Sequence, residues 1–320
     1  IKDAVDMKRL MMTVILAMVP CLLFGIYNVG HQHFLALGQE AEFWDKVWIG
    51  SLQTVPIIVV SYATGLGVEF VFATLRRHPV NEGFLVTGML IPLVMPPDIP
   101  LWQVGVATIF AVVIGKEAFG GTGMNVLNVA LTARAFLYFA YPVDIAGEVW
   151  AYIPEGAKTV AGYSGATPLA IAAGTIETGE NAVAAFNSFG AGWADNIYSF
   201  SNMFLGFMPG CIGETSTLMC LVGAFILVMT GVGSWKIIVS VFAGAYGMGL
   251  FMNMVGGNTF TMMPAHYHLV IGGLAFGAVF MATDPVTAAQ TETGKWFYGF
   301  LIGIFTVLIR VFNPAYPEGI

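Results

Sequence analysis

The chain has 320 residues, of which 57% are hydrophobic and only 10% are charged, whereas a soluble globular domain carries roughly 25% charged residues. This composition excludes a soluble domain and predicts an integral membrane protein. The net charge of −7 excludes nucleic-acid binding, because the largest basic cluster is Arg76-Arg77-His78. Three cysteines, at positions 21, 211 and 220, are too few for a four-cysteine iron–sulfur site within this chain.

Several apolar runs are long enough, or nearly long enough, to cross a bilayer as helices. In chain order they cover residues 10–29, 47–75, 101–114, 126–141, 218–232, 235–255 and 296–312. Two further runs, 84–95 and 269–281, are short and rich in glycine or proline, and they end in the Asp-containing turns "MPPDIP" and "MATDP". A bilayer tolerates such broken helices only where their free backbone groups line a cavity or are covered by protein.

The chain contains an internal repeat. The matched segments are 85–90 with 269–274, "IFAVVIGK" from Ile109 with "IFTVLIRV" from Ile304, and Trp102-x-x-Gly105 with Trp296-x-x-Gly299. The repeat predicts an all-α membrane fold of two five-helix halves, 1–142 and 215–320, joined by a loop over 143–214. Each half has one broken helix, and the last helix of the second half is expected beyond residue 320. An odd number of spans inverts the second half, which places a functional site between the two broken helices.

Charge asymmetry predicts the orientation. If the N-terminus is cytoplasmic, most basic residues lie at cytoplasmic helix ends, as the positive-inside rule requires. These residues are Lys2, Lys8, Arg9, Arg76, Arg77, Lys116, Lys236 and Lys295. The outer loops then hold Glu40, Glu42, Asp45, Asp98, Asp144, Glu148, Glu155, Glu177, Glu180 and Asp195. Loop 143–214 is therefore expected on the periplasmic side.

Five charged residues lie within or beside the apolar runs, namely Glu69, Glu82, Arg134, Glu214 and Asp284. A charge in the hydrocarbon region costs about 3 kcal/mol or more, so each should face a partner, a cavity or the interface. Arg134 and Glu214 are interpreted as a structural ion pair or as helix-end residues that reach the interface. Asp284 with Thr283, and Glu82 with Asn81, lie at the ends of the broken helices. Carboxylate and carbonyl oxygens suit Na⁺, so these four residues are predicted to belong to an ion path.

Two polar segments remain. Asn125 and Asn128 are three residues apart, which would place both amides on one helical face. They could hydrogen-bond a flavin ring edge or could equally join neighbouring helices. The second segment is "GYSGATPLA", residues 162–170, in the outer loop. Its threonine could belong to an ordinary turn, in which Pro168 favours an extended conformation of Thr167.

Taken together, several motifs resemble one family over essentially the whole chain. They are "SGAT" in the outer loop, "VNEGFLVT", "KEAFGGTG", "HYHLVIGGLAFGAVFMATDPV" and "NPAYPEG". They are similar to NqrB, a membrane subunit of the Na⁺-translocating NADH:quinone reductases of bacteria. They also resemble, more distantly, RnfD, the related subunit of Rnf-type ferredoxin:NAD⁺ oxidoreductases. The fold implied is similar to that of ammonium and urea channels, so a passive channel or solute transporter is the competing function.

The resemblance implies the cofactors and their residues. FMN would be joined to Thr167 through a phosphodiester, with Ser164, Gly165 and Ala166 forming an exposed, flexible segment that a flavin transferase outside the cytoplasm can reach. A non-covalent riboflavin would lie at Asn125 and Asn128. The family's quinone-linked glycine pair falls at Gly65 and Leu66, of which only the first is glycine. Glu69, Glu82 and Asp284 match acidic positions that the family associates with Na⁺.

The resemblance also implies the biological setting. The subunit would relay electrons through flavins to quinone, coupled to Na⁺ transport, in the bacterial cytoplasmic membrane. Its partners would be the other membrane and peripheral subunits of the reductase, including a second FMN-bearing subunit and iron–sulfur and FAD subunits. No nucleic-acid partner is expected.

Overall fold

The computed structural model describes residues 7–77, 83–147, 149–194 and 196–313, and within these ranges the chain forms helices and loops without a strand. The helices are α1 (Met7–Leu37), α2 (Phe43–Arg76), α3 (Phe84–Leu93), α4 (Leu101–Gly115), α5 (Val129–Ala140), α6 (Pro168–Thr178), α7 (Ala182–Ser188), α8 (Phe200–Leu205), α9 (Thr217–Met229), α10 (Trp235–Val255), α11 (Tyr267–Val270), α12 (Leu274–Phe276) and α13 (Glu292–Phe312). The all-α prediction is confirmed.

In the described part of the chain, five helices are long and apolar enough to cross a membrane. They are α1, α2, α4 with its short 3₁₀ extension to Phe119, α10 and α13. The apolar helices α3, α5 and α9 have 10, 12 and 13 residues, which is shorter than the roughly 20 residues that span a bilayer alone. An integral membrane protein is therefore supported.

Glycines set the closest helix contacts. A Cβ on Gly30 of α1 or on Gly50 of α2 would overlap backbone atoms of the other helix. The same holds for Gly244 of α10 and Gly303 of α13, where a Cβ would overlap the facing backbone. Small residues allow this approach in a membrane, where dispersion contacts and not water exclusion hold helices together.

The second broken run is irregular along its whole length. Short α11 ends before Gly272, which has a positive φ of 67°, and α12 continues directly into a π-helical turn, Gly277–Met281. Arg310 of α13, itself fully buried, donates hydrogen bonds to the carbonyls of His268 and Ile271 at 2.8 and 3.0 Å. These carbonyls lack a helical partner at the break, so the arginine satisfies them. Arg310 lies inside an apolar run and is a structural residue that the sequence analysis overlooked.

The loop over residues 143–214 is more ordered than expected. It contains α6, α7 and α8, which share a buried apolar cluster with the segment before and within the second broken run. The cluster includes Leu169, Ala172, Phe186, Tyr198, Met203, Phe260, Met263 and Ile271. The loop is thus a packed layer that shares an apolar core with residues 260–271.

Candidate functional site

Thr167 begins α6. Its backbone is extended, with φ −72° and ψ 160°, and its Oγ1 accepts a hydrogen bond from the Ala170 nitrogen at 3.2 Å. Thr followed by Pro at the first helical position is a typical helix start, because the hydroxyl caps a free N–H and proline needs no donor there. The residue is only 6% exposed. The expectation of an exposed hydroxyl is therefore wrong for this conformation.

The SGAT segment is held by hydrogen bonds. The Tyr198 hydroxyl donates to the Ala166 carbonyl, and the Ala166 nitrogen donates to Ser164 Oγ at 3.3 Å. Burial raises the pKa of the Tyr198 phenol well above its usual value, so the donor stays protonated at physiological pH. The expected flexible segment is instead fixed against the loop's own core, because Tyr198 is a fully buried member of that core.

A cavity of about 30 Å³ lies beside Thr167. Its lining includes Trp150, Arg134, Glu214, Cys211 and two glycines of the second broken run, Gly272 and Gly273. Trp150 is 2% exposed, and its indole N–H finds no acceptor among the described residues. A buried donor of this kind favours a bound acceptor, since leaving it unsatisfied costs about 1–3 kcal/mol.

The size of this cavity tests whether a flavin phosphate fits. A water needs roughly 10–15 Å³ of such volume, so the cavity holds about two water-sized groups. That matches the two free oxygens of a phosphodiester on Thr167, which the α6 N-terminus and the Trp150 N–H would both stabilise. A three-ring flavin does not fit in it, so the ring would lie outside the cavity.

Arg134 and Glu214 form an ion pair, which was one of the two structural interpretations drawn from the sequence. Arg134 Nη1 contacts both carboxylate oxygens of Glu214 at 2.9 and 2.8 Å, and both side chains are buried. The pair joins α5 to the segment before α9. Removing one partner of a buried pair typically costs 3–5 kcal/mol, because the other charge is then stranded.

A second cavity, of about 90 Å³, brings the two predicted halves together. Lys116, Asn125 and Asn128 of the first half line it with Thr283 and Asp284 of the second. The expected helical face for the two asparagines is wrong, because α5 begins only at Val129. Asn128 caps α5 by accepting from the Ala130 and Leu131 nitrogens at 3.0 and 3.2 Å, so its amide nitrogen is the group suited to bind a ligand.

Asp284 lies in the turn after the second broken run. Its two carboxylate oxygens accept hydrogen bonds from the Val286 nitrogen and the Thr287 hydroxyl, each at 3.1 Å. Thr283, predicted to act with Asp284, donates to the Val279 carbonyl at 2.6 Å. Both residues line the second cavity, as an ion path there requires. Their predicted counterparts, Glu82 and Asn81, lie outside the described residues.

Glu69 is buried on α2 and forms an ion pair with Lys116, which follows α4 and is equally buried. Next to it, Arg76 Nη1 contacts Glu117 Oε2 at 3.1 Å and Nη2 contacts the Glu117 carbonyl at 2.7 Å. Lys116 and Glu117 were not predicted as site residues. The signal that could have found them is two opposite charges directly after an apolar run.

Gly65, predicted to face the quinone, packs against Phe84 of α3. A Cβ on Gly65 would overlap the Phe84 ring, which is fully buried. The structure therefore gives this glycine a packing role one helical turn before Glu69. Its contact with quinone stays a prediction.

Comparison with known proteins identifies the family. The NQR2, RnfD, RnfE family matches residues 1–320. The chain is 44% identical over 346 residues to a Na⁺-translocating NADH-quinone reductase subunit (NqrB) of Ectopseudomonas mendocina, covering 100% of the chain and 81% of that protein. The same name belongs to relatives in Chromohalobacter salexigens, at 45% identity and 79% coverage, and in Pseudomonas aeruginosa, at 42% and 81%. The chain belongs to the NQR2, RnfD, RnfE family.

Proposed function

We propose that this chain is a membrane subunit of a Na⁺-translocating NADH:quinone reductase that relays electrons through flavins to quinone, coupled to Na⁺ transport. The observation that carries the proposal is the similarity, over the whole of this chain, to subunits of that name. The partners proposed are the other subunits of the complex, among them a second FMN-bearing subunit and iron–sulfur and FAD subunits, in the bacterial cytoplasmic membrane.

The covalent cofactor proposed is FMN, joined to Thr167 through a phosphodiester by a flavin transferase. The fit of two phosphate oxygens in the 30 Å³ cavity supports this assignment. Trp150 and the α6 N-terminus would hold the phosphate, with the Arg134 guanidinium nearby. When bound, the flavin supplies one- and two-electron transfer. Because Thr167 is buried, the transferase would have to act before the loop packs or on an opened loop.

The second cavity is proposed to hold the non-covalent riboflavin and part of the Na⁺ path. Asn125 and Asn128 offer amide groups for a flavin edge, and Asp284 offers carboxylate oxygens for Na⁺. Glu69 and Glu82 are proposed to belong to the same path, and Gly65 to the quinone region. About 90 Å³ is too small for a three-ring flavin, so riboflavin would have to widen this cavity.

The inverted repeat is proposed as the architecture, similar to ammonium and urea channels, with halves 1–142 and 215–320 around the periplasmic layer 143–214. Matched glycines support it. A Cβ on Gly105 of α4 would touch Thr64 of α2, and a Cβ on Gly299 of α13 would overlap Ser240 of α10. Equivalent helices thus make equivalent contacts. An apolar groove of about 540 Å³ lies between α13, the second broken run and residues 126–131 of the first half.

The test is the change Thr167→Ala in the complete complex. We expect the in-gel flavin fluorescence of the denatured subunit to disappear, because the attachment oxygen is lost. Thr178→Ala, at the exposed end of the same helix, is the matched control and should keep its fluorescence. Fluorescence of Thr167→Ala at the wild-type level would place the attachment elsewhere and contradict the proposal.

Two other functions are separated by simple measurements. A channel or solute transporter of the same fold would purify colourless, whereas a flavin-bearing protein is yellow and keeps its flavin in denaturant. The family also includes RnfD, so the RnfD component of a ferredoxin:NAD⁺ oxidoreductase is the second candidate. Quinone reduction by NADH in the purified complex supports the first function, and NAD⁺ reduction by ferredoxin supports the second.

A further inference from the structure

Lys116 is paired with one acidic residue and lines a cavity together with a second. Its ammonium is paired with Glu69, which is 5% exposed and does not belong to the lining of the 90 Å³ cavity. Lys116 does line that cavity, as does Asp284. Within this cavity a cation would therefore contact the lysine and not the buried carboxylate of Glu69.

The surroundings of Lys116 favour a cation. The ammonium lies 5.9 Å from the centre of the Phe84 ring, whose face attracts positive charge. The neighbouring carboxylate, Glu117, is already engaged by Arg76. Glu69 is thus the acidic partner that the fold assigns to Lys116.

Lys116 is also placed so that it can move. It directly follows α4, and glycines with positive φ come next at positions 120, 121 and 123. A lysine has four rotatable side-chain bonds and a single charged head group, so it leaves a carboxylate more readily than an arginine, which binds with two parallel N–H groups. Displaced into the cavity, its ammonium stays within a space that Asp284 also lines.

We propose that Lys116 is a built-in cation that occupies Glu69 when Na⁺ is absent and is displaced when Na⁺ binds there. The inference rests on the proposed Na⁺ transport. It adds to the Na⁺ path already proposed for Glu69 an apparent affinity that is set by competition with Lys116. Na⁺ and the ammonium carry the same charge, so the exchange leaves the net charge around Glu69 unchanged, which avoids a stranded buried carboxylate.

The test compares two changes with opposite expected effects in the purified complex. Lys116→Met removes the competitor, so the Na⁺ concentration for half-maximal quinone reduction should fall at least about tenfold. Lys116→Arg strengthens the competitor, so that concentration should rise. The same order should appear without turnover, as the NaCl concentration that half-maximally raises the unfolding temperature, measured against KCl at equal ionic strength.

Two controls make the result specific. Arg76→Met breaks the adjacent Arg76–Glu117 pair, which does not line the cavity, and should leave the half-maximal Na⁺ concentration within about twofold. Adding Glu69→Gln to Lys116→Met should abolish the gain in Na⁺ affinity, because the site's carboxylate is gone.

The outcomes are distinguishable. If the Lys116→Met complex assembles and its half-maximal Na⁺ concentration is unchanged or higher, the inference about Lys116 is overturned. The proposed function still stands in that case, provided that the wild-type complex depends on Na⁺. If the Lys116→Met complex fails to assemble, the Lys116→Arg complex provides the test. An unchanged half-maximal Na⁺ concentration in the Lys116→Arg complex then overturns the inference. If neither the turnover nor the stability of the wild-type complex depends on the Na⁺ concentration, the proposed transport function is overturned instead.

Discussion

The Thr167 hydroxyl combines a structural role with its proposed chemical one. As the cap of α6 it uses the oxygen as an acceptor for the Ala170 nitrogen at 3.2 Å. A phosphodiester replaces only the hydroxyl hydrogen, so the oxygen can keep this role while the phosphate adds negative charge at a helix N-terminus. Trp150, buried beside it with an indole N–H that lacks a described acceptor, is the neighbour best suited to bind that charge.

The change Trp150→Phe tests this role. Phenylalanine keeps an aromatic ring in the core but removes the N–H, so the flavin should stay attached while its phosphate loses one charge-assisted hydrogen bond of about 1.5–3 kcal/mol. The measurement is the unfolding temperature of the protein produced with and without the flavin transferase. The stabilisation by flavin attachment should shrink by about 2–4 °C.

The matched control is Trp193→Phe in the same loop, where the indole packs against Tyr163 and does not line the cavity. It should leave the effect of flavin attachment unaltered. An equal stabilisation in wild type and Trp150→Phe would mean that the phosphate does not use this donor.

Among the helices, the contact between α2 and α3 shows how packing supports the buried ion pair. Gly65 provides the space that the Phe84 ring fills, and the same ring lies 5.9 Å from the Lys116 ammonium. Glu69 is one turn further along α2 and binds that ammonium. The position of Phe84 therefore links the glycine to the charge pair, without any ligand.

The change Gly65→Ala should lower the unfolding temperature of the complex, because its Cβ overlaps a fully buried ring, and such overpacking typically costs 1–3 kcal/mol. Adding Phe84→Leu should recover part of the loss by making room. Gly67→Ala is the control, since a Cβ there meets nothing within 4 Å. If Phe84→Leu restores both the stability and the quinone reduction of the Gly65→Ala complex, Gly65 has a packing role. If the Gly65→Ala complex is as stable as the wild type but reduces quinone more slowly, Gly65 belongs to the quinone site.

Long apolar runs predicted the spanning helices well, because twenty apolar residues have few stable alternatives in a membrane. Boundaries were less predictable. α5 starts at Val129 because Asn128 caps it, a signal that was present in the sequence as an amide before an apolar run. The helices of loop 143–214 have 6 to 11 residues and depend on a core shared with distant segments, which sequence periodicity does not reveal.

The candidate site was predictable residue by residue but not pair by pair. Isolated charges in apolar runs identified Arg134 and Glu214 as a plausible pair, and they do pair. For Glu69 the sequence predicted a Na⁺ role but not the ion pair with Lys116. The two residues are 47 positions apart, and only the packing of α2 on α4 brings them together. The burial of Thr167 was likewise hidden, since it depends on the fold of the whole loop.

At the scale of the whole molecule, the two predicted halves meet along α1 and α9, the first helix of each. In an inverted repeat these helices are related by the pseudo-symmetry, so their contact is expected near the centre of the fold. Two buried cysteines lie at this contact between α1 and α9. Cys21 Sγ of α1 is 3.9 Å from Cys220 Sγ of α9. The third cysteine, Cys211, is also buried and is not part of this pair.

This pair allows the packing of the halves to be tested with native residues. A membrane-permeant oxidant such as copper phenanthroline should take two electrons and two protons from the thiols and join the sulfurs as a disulfide. If a protease site is inserted in the exposed loop at Gly156, cleavage should leave two fragments that migrate together without reductant and separately with it. Cys211→Ala should still cross-link, and Cys220→Ala should not. Fragments that separate after complete oxidation of the wild type would show that α1 and α9 do not meet at these positions, and the proposed arrangement of the two halves would then have to be abandoned.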